Sequence, residues 1–266
     1  MATKPRFPTR PFFCCIWFLL LSSGPEQLGA STNQAVAAGT ASQAAFAARA
    51  EKIYKESRAK HELHPNDSAA AWQFGRAAFD FAEFATNKPQ RAEIAEEGIA
   101  ACRQVLERES NSAPAHYYLG MNLGQLARTR SLGALRLVDQ MEHEFTAALK
   151  LDAQMDWAGP DRCLGLLYLD APTLGSIGSK TKARQHLLRA VDLAGEYPEN
   201  RLNLVEALTR WKDYDGARHE LKSLEDMWPA ARAHFGGEAW AASWSDWDGR
   251  LQKVKQKIPD RVAKPR

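Results

Sequence analysis

The sequence predicts an all-α protein built from helical hairpins, and three observations predict it. From about residue 68 to Trp228 no alternating β-branched run appears, so no strand is signalled. In its place, helical patterns of 10–18 residues alternate with short Gly/Pro/Asn punctuation. A 34-residue interval then links Ala183 to Ala217, Leu187 to Leu221 and Ala190 to Leu224. Each of those sets falls at i, i+4, i+7, so each lies on one helix face.

Taken in chain order, Lys4, Arg6 and Arg10 precede an unbroken apolar run, Phe12 to Leu21. Ten apolar residues are half of the roughly 20 that a spanning helix needs. The pattern predicts a signal peptide over 1–30, ending near Leu28-Gly29-Ala30, with an N-terminal membrane anchor as the alternative. The expected location is exported, periplasmic or extracellular. No cysteine follows the apolar run before Cys102, so no lipobox is present. Removing residues 1–30 takes three basic residues and one acidic one from totals of 35 and 32, leaving a net charge of +1. That balance gives no footing for a nucleic-acid partner. Apolar residues at 45% and charged residues at 25% exclude a disordered or polytopic membrane chain. Four cysteines exclude a disulfide scaffold. Cys102 and Cys163 read as small core residues, and two cysteines alone do not establish a pairing.

Residues 31–66 divide into a flexible Ala/Ser/Thr/Gln/Asn lead-in to about 45 and an N-terminal helix from about Ala44 to Lys60, with Phe46, Ile53 and Tyr54 near one face. His64-Pro65-Asn66-Asp67 ends that helix, and Asp67 or Ser68 caps the next. Residues 67–226 form the repeat region. First helices carry an apolar–small pair at Phe74-Gly75, Leu119-Gly120, Leu164-Gly165 and Leu204-Val205. Second helices carry a small residue that allows close approach, Ala183 and Ala217 most plainly. Residues 227–258 form a Trp-rich helix with Trp240, Trp244 and Trp247 at i, i+4, i+7, read as the cap that hides the last apolar face. An exposed aromatic surface is the alternative. Residues 259–266 are a basic tail, either solvated or in contact with anionic lipid or an acidic partner.

These pairs, with Phe145-Thr146-Ala147-Ala148-Leu149-Lys150-Leu151-Asp152 and the turn Trp211–Ala217, resemble the tetratricopeptide repeat (TPR) superfamily. The resemblance implies a helical-hairpin solenoid of about four units, near 68–112, 113–155, 158–193 and 198–226. Between the small residues of the two helices, Val205 to Ala217 keeps a spacing of 12. Gly165 to Ala183 takes 18, Gly120 to Met141 takes 21 and Gly75 to Gly98 takes 23. The first three units therefore have lengthened A–B connections, made of either longer loops or longer helices. A narrower likeness runs through Asp161–Tyr168, Ala171-Pro172, Ser176-Ile177-Gly178 and Tyr197-Pro198-Glu199-Asn200. It is similar to exported TPR proteins of the TatT type, which accompany the solute-binding protein of TRAP transporters. That likeness implies a central cavity, homo-oligomerisation and a solute-binding partner.

The chemistry motifs fail on detail. Gly175–Thr181 lacks the Gly before Lys that a P-loop needs, and Ser179 reads as a helix cap. His61 and His64 stand at i, i+3 before Pro65 with no third ligand in the pattern. The sequence therefore implies no cofactor, no metal and no enzyme. The superfamily resemblance implies that first helices line a concave groove. In this chain that brings Tyr117, Met121 and Gln125 from the second unit, Arg162 and Leu166 from the third, and Glu199, Asn203, Glu206 and Arg210 from the fourth. Amides and charges of both signs there suit a protein or peptide partner. An apolar small ligand held between helices, as in a carrier, is the alternative. Arg162 and Glu206 either form an inter-repeat ion pair or stand free to bind.

Overall fold

A computed structural model describes residues 33–130 and 133–259; the expected signal peptide and the tail from residue 260 lie outside the described residues. Among those described there is no strand. The helices are α1 (Asn33–Leu63), α2 (Ser68–Ala82), α3 (Lys88–Arg108), α4 (Ala113–Ala127), α5 (Ala134–Leu151), α6 (Met155–Asp170), α7 (Lys180–Leu193), α8 (Pro198–Arg210), α9 (Tyr214–His234) and α10 (Ala241–Lys257). The chain divides into two compact units between Leu151 and Asp152.

Local chemistry sets the helix starts where the sequence places them. Asp67 caps α2, its carboxylate accepting from Ala69 N (2.8 Å) and Ala70 N (3.2 Å). Ser179 caps α7 through Lys182 N, and Asp213 caps α9 through Gly216 N. Pro89, Pro114 and Pro198 occupy first-turn positions, where the missing N–H has no intrahelical partner to lose.

Two expected boundaries change. α1 runs back to Asn33, so residues 33–45 are helix and not a flexible lead-in. The run Ala35-Val36-Ala37-Ala38 is rich in alanine, as is the stretch after it. Alanine has the highest intrinsic helix propensity, which outweighs the polar residues between. α9 continues through residue 227 to His234, so the C-terminal cap does not begin at 227. Trp240 closes a short 3-10 turn, Glu238–Trp240, before α10 begins.

In the unit ending at Leu151, helices meet across glycines. A Cβ on Gly75 would lie 2.4 Å from Cys102 Sγ, one on Gly98 2.6 Å from Asn122 Oδ1, and one on Gly120 2.6 Å from the Phe145 ring. Only glycine lets these helices approach so closely. Cys102 and Cys163 are both buried thiols outside any disulfide, and burial pushes the Cys102 thiol well above its ordinary range. The lengthened connections resolve into two kinds. In α2–α3 and α4–α5 most of the extra length is helix. In α6–α7 all of it is loop, residues 171–179.

In the unit from Asp152, rings fill the core. Tyr197, Phe235, Trp244 and Trp247 are buried together with Leu202, Val205 and Leu224, with Trp157 and Trp240 packed against them. α10 thus buries its aromatic face, as a terminal cap requires.

Candidate functional site

The first-helix positions fall in both units, and each unit is described by itself. In the unit ending at Leu151, Tyr117 is buried with its ring 5.1 Å from Tyr118 and 6.1 Å from Phe145, and Met121 is buried on the same helix. Gln125 is also buried and ties three elements. Arg91 Nη1 of α3 donates to its Oε1 (2.6 Å), and its Nε2 donates to Glu83 Oε1 (2.5 Å), just past α2. Arg128 closes on the same carboxylate at 2.9 and 3.0 Å. A shallow cavity of about 260 Å³ opens in this unit between α1, α2 and α3, with Phe74 as floor and Arg58, His61 and Glu97 at its polar wall.

In the unit from Asp152, α6 opens with a backbone anomaly. Asp156, Trp157 and Ala158 adopt φ of 50, 51 and 61°. Left-handed L residues cost roughly 1–2 kcal/mol each, so neighbours must hold them there. Arg162, 1% exposed, does much of this: Nη1 donates to the carbonyls of Asp156 (3.2 Å) and Trp157 (3.1 Å), and Nη2 to Asp156 Oδ2 (2.8 Å). Asn200 of α8 completes the frame. Its Oδ1 accepts from Arg162 (3.0 Å) and its Nδ2 donates to Trp157 O (2.9 Å). The Trp157 ring stacks on Tyr197 at 5.2 Å.

One face of α8 carries Glu199, Asn203 and Glu206 at i, i+4, i+7. A residue from beyond the repeats occupies it. Arg250 of α10 donates to Glu206 through Nε (3.0 Å) and Nη2 (2.6 Å), and to Asn203 Oδ1. It also lies 3.7 Å from Glu199 Oε1 and holds Asp246 at 3.2 Å. Burial pushes the Asp246 carboxyl up to about 6; Arg250 opposes this, and Glu199 and Glu206 add to it. Burial, with Glu199 alongside, likewise drives the Tyr197 hydroxyl well above its ordinary range.

The expected open groove is therefore closed at most of its positions. Tyr117, Met121, Gln125, Arg162, Leu166, Glu199 and Asn203 are all buried. Only Glu206, partly exposed, and Arg210, exposed and paired with Asp170 at 2.5 Å, reach solvent. The Arg162–Glu206 ion pair does not form. Arg162 turns to Asp156, with Glu199 at 4.0 Å, while Glu206 takes Arg250. The physical reason is supply: the kinked start of α6 and the returning α10 each bring a countercharge closer than the one expected. Asp161 is buried and held by His186 Nδ1 (2.7 Å) and Arg189 Nε (3.3 Å).

Sequence reasoning missed Arg250, Asp246, Asn200 and Asp156. Asp246 and Arg250 had a legible signal, an i, i+4 acid–base pair set among the tryptophans of α10. Asn200 had none, because its role depends on a left-handed turn 43 residues upstream. Chemically, the network pairs each guanidinium with carboxylates, so it serves to lock α6, α8 and α10 together.

A solved structure with the same arrangement is that of TTC0263, a thermophilic TPR protein of Thermus thermophilus. It superposes with a TM-score of 0.59 over 85% of this chain and 96% of that one, at 15% identity. The fold is a TPR-like helical repeat. A family model described as "Regulator of microtubule dynamics protein 1-3" matches residues 38–158, from α1 to the kinked start of α6. No curated protein matches the chain.

Proposed function

We propose that this chain is an exported protein-interaction scaffold and not an enzyme. The observation that carries this reading is the repeat itself: four A/B hairpins, two in each unit, with the fold of a TPR protein. Mutual neutralisation gives the buried Arg and carboxylate groups a structural role, holding helices together. Export rests on the basic and apolar pattern of residues 1–30. No helix among the described residues is long and apolar enough to cross a membrane. With the α8 face taken by Arg250, partner contact falls to the exposed edges of the hairpins.

Two partner classes follow from different observations. The TatT-like residue string favours a solute-binding protein in the cell envelope, with the homo-oligomer that this likeness implies. The family match over residues 38–158 favours a microtubule, the partner its description points to, and with it a chain that stays inside the cell in place of an exported one. A crosslinked pull-down of the full chain from its own cells, read by mass spectrometry, tests the scaffold. Reproducible capture of one protein partner is the expected result, and its identity decides between the classes. No protein partner, together with a co-purified small molecule in native mass spectrometry, would replace the scaffold with a carrier. The cavity at Phe74 and His61 would then be the first place to look.

A further inference from the structure

We propose that one edge of the unit from Asp152 docks an acidic protein segment that carries an apolar side chain among its carboxylates. The edge comprises the α6–α7 loop, the first two turns of α7 and the α8–α9 turn. This deepens the scaffold reading and rests on it, naming the chemistry of the partner.

The loop is held at its base. Ser179 N donates to Tyr168 O (2.9 Å) and Gly178 N to Pro172 O (3.0 Å). A Cβ on Gly178 would stand 2.1 Å from Ala171 O, so the base closes only on glycine. The closed base presents Leu174, 92% exposed, the most exposed large apolar side chain among the described residues. One exposed leucine alone means little. Its company gives it meaning.

Cations gather beside the loop on aromatic faces. Lys180 Nζ lies 5.5 Å and the Arg184 guanidinium 5.2 Å from the Trp211 ring centre. Lys182 Nζ lies 4.6 Å from that of Tyr168. A ring positions a cation without cancelling its charge. The turn after α8 adds Lys212 at φ 59°, where a helix end ordinarily places glycine. Lys212 thus stands on this edge in a left-handed turn position.

The acids of this edge are already used. Asp170 pairs with Arg210, Asp213 with Arg184 (2.8 Å), and Asp215 with Arg218 (2.7 Å). Asp213 also accepts from Gly216 N, and its carboxyl is held below its ordinary range, first by Arg184. Each of these acids faces an arginine, with Lys180 also acting on Asp213, and the edge carries more cations than acids. Lys180, Lys182 and Lys212 are the exposed lysines of that excess. Lysine ammonium groups are compact, mobile point charges that suit carboxylates on a flexible chain. Three lysines and one leucine are too few for a bilayer, which recruits proteins through clusters of 4–8 basic residues or a buried apolar face.

The test uses the full chain and a fluorescent peptide of alternating Asp and Glu with a single central Leu, read by anisotropy. Saturable binding is expected, weakening severalfold between about 50 and 300 mM salt. The triple variant Lys180→Glu, Lys182→Glu, Lys212→Glu should lose about tenfold or more in affinity, and Leu174→Ser about threefold. Both should melt like the wild type, because the changed side chains are exposed. Equal binding by wild type and triple variant would overturn the proposal. So would binding to vesicles rich in anionic lipid with none to the peptide. In the pull-down, a partner captured equally by both forms would overturn this surface and leave the scaffold standing. Peptide binding that needs the lysines, with no protein partner captured from cells, would do the reverse.

Discussion

Between residues 33 and 151, three helix contacts run through glycines, Gly75, Gly98 and Gly120, which meet Cys102, Asn122 and Phe145 at distances that exclude a Cβ; between 152 and 258, Gly165 meets Leu187 in the same way. What sets the second unit apart is its large set of stacked and edge-on rings beside the Arg162 and Arg250 networks. Both units repeat one hairpin register, yet they use their extra residues differently. The first lengthens helices; the second lengthens a loop. Longer helices add contact along a partner helix and leave little at the turn. A longer loop adds no helix contact and puts Leu174 into solvent. Repeat register therefore fixes how hairpins pack, while the kind of insertion decides what each hairpin shows to other molecules.

The largest test of that comparison removes a ring. Trp247→Ala should cost about 3–5 kcal/mol, because it empties a fully buried site contacted by Tyr197 and Trp244. Urea unfolding of the full chain measures it. A midpoint unchanged from the wild type would show that α10 is not needed to close the unit.

Next comes charge. The Asp246 carboxyl stands at about 6 in the folded chain against an ordinary 3.8. The folded state thus holds this proton more tightly than the unfolded state. The stabilisation is fully present below about pH 4 and is lost as pH rises through about 6. Asp246→Asn should therefore raise stability at pH 7 by on the order of 2–3 kcal/mol and flatten the melting profile between about pH 4 and 7. Parallel pH profiles for the variant and wild type would refute the assignment.

The smallest effects come from adding one methyl group in each unit. Gly120→Ala drives a Cβ to 2.6 Å from the Phe145 ring and should cost about 1 kcal/mol net, overpacking exceeding the gain in helix propensity. Gly249→Ala, on an exposed turn of α10 with nothing within 4 Å, should instead stabilise by up to about 1 kcal/mol. Thermal melts of the pair should shift in opposite directions. A shift in the same direction would mean that close approach at glycine does not distinguish the two places.

Much of the fold was legible because its signals are local. Apolar–small pairs and the caps at Asp67 and Ser179 depend on residues within a turn or two of one another, and the 34-residue interval only repeats such local patterns. The hairpins accordingly fall close to the expected 68–112, 113–155, 158–193 and 198–226. Site legibility stopped at helix faces. Glu199, Asn203 and Glu206 read as groove residues of one helix, and the residue that occupies their face of α8 lies 44 residues beyond Glu206. Arg162 reads from sequence as a charged residue of a first helix, while its partners depend on three left-handed residues that no composition signal marks.

By itself, the sequence determined an all-α chain, the order and register of its four hairpins, and the caps that begin several of its helices. Periodicity and capping act over a few residues, so the chain carries them wherever it is placed. Only the tertiary structure decided that the α8 face is covered by Arg250, that Arg162 faces Asp156 and not Glu206, and that Leu174 stands in solvent. Those outcomes depend on which distant group arrives first with a countercharge or a ring. That is a property of three-dimensional packing, where residues about 40 apart in the chain compete for the same few ångströms.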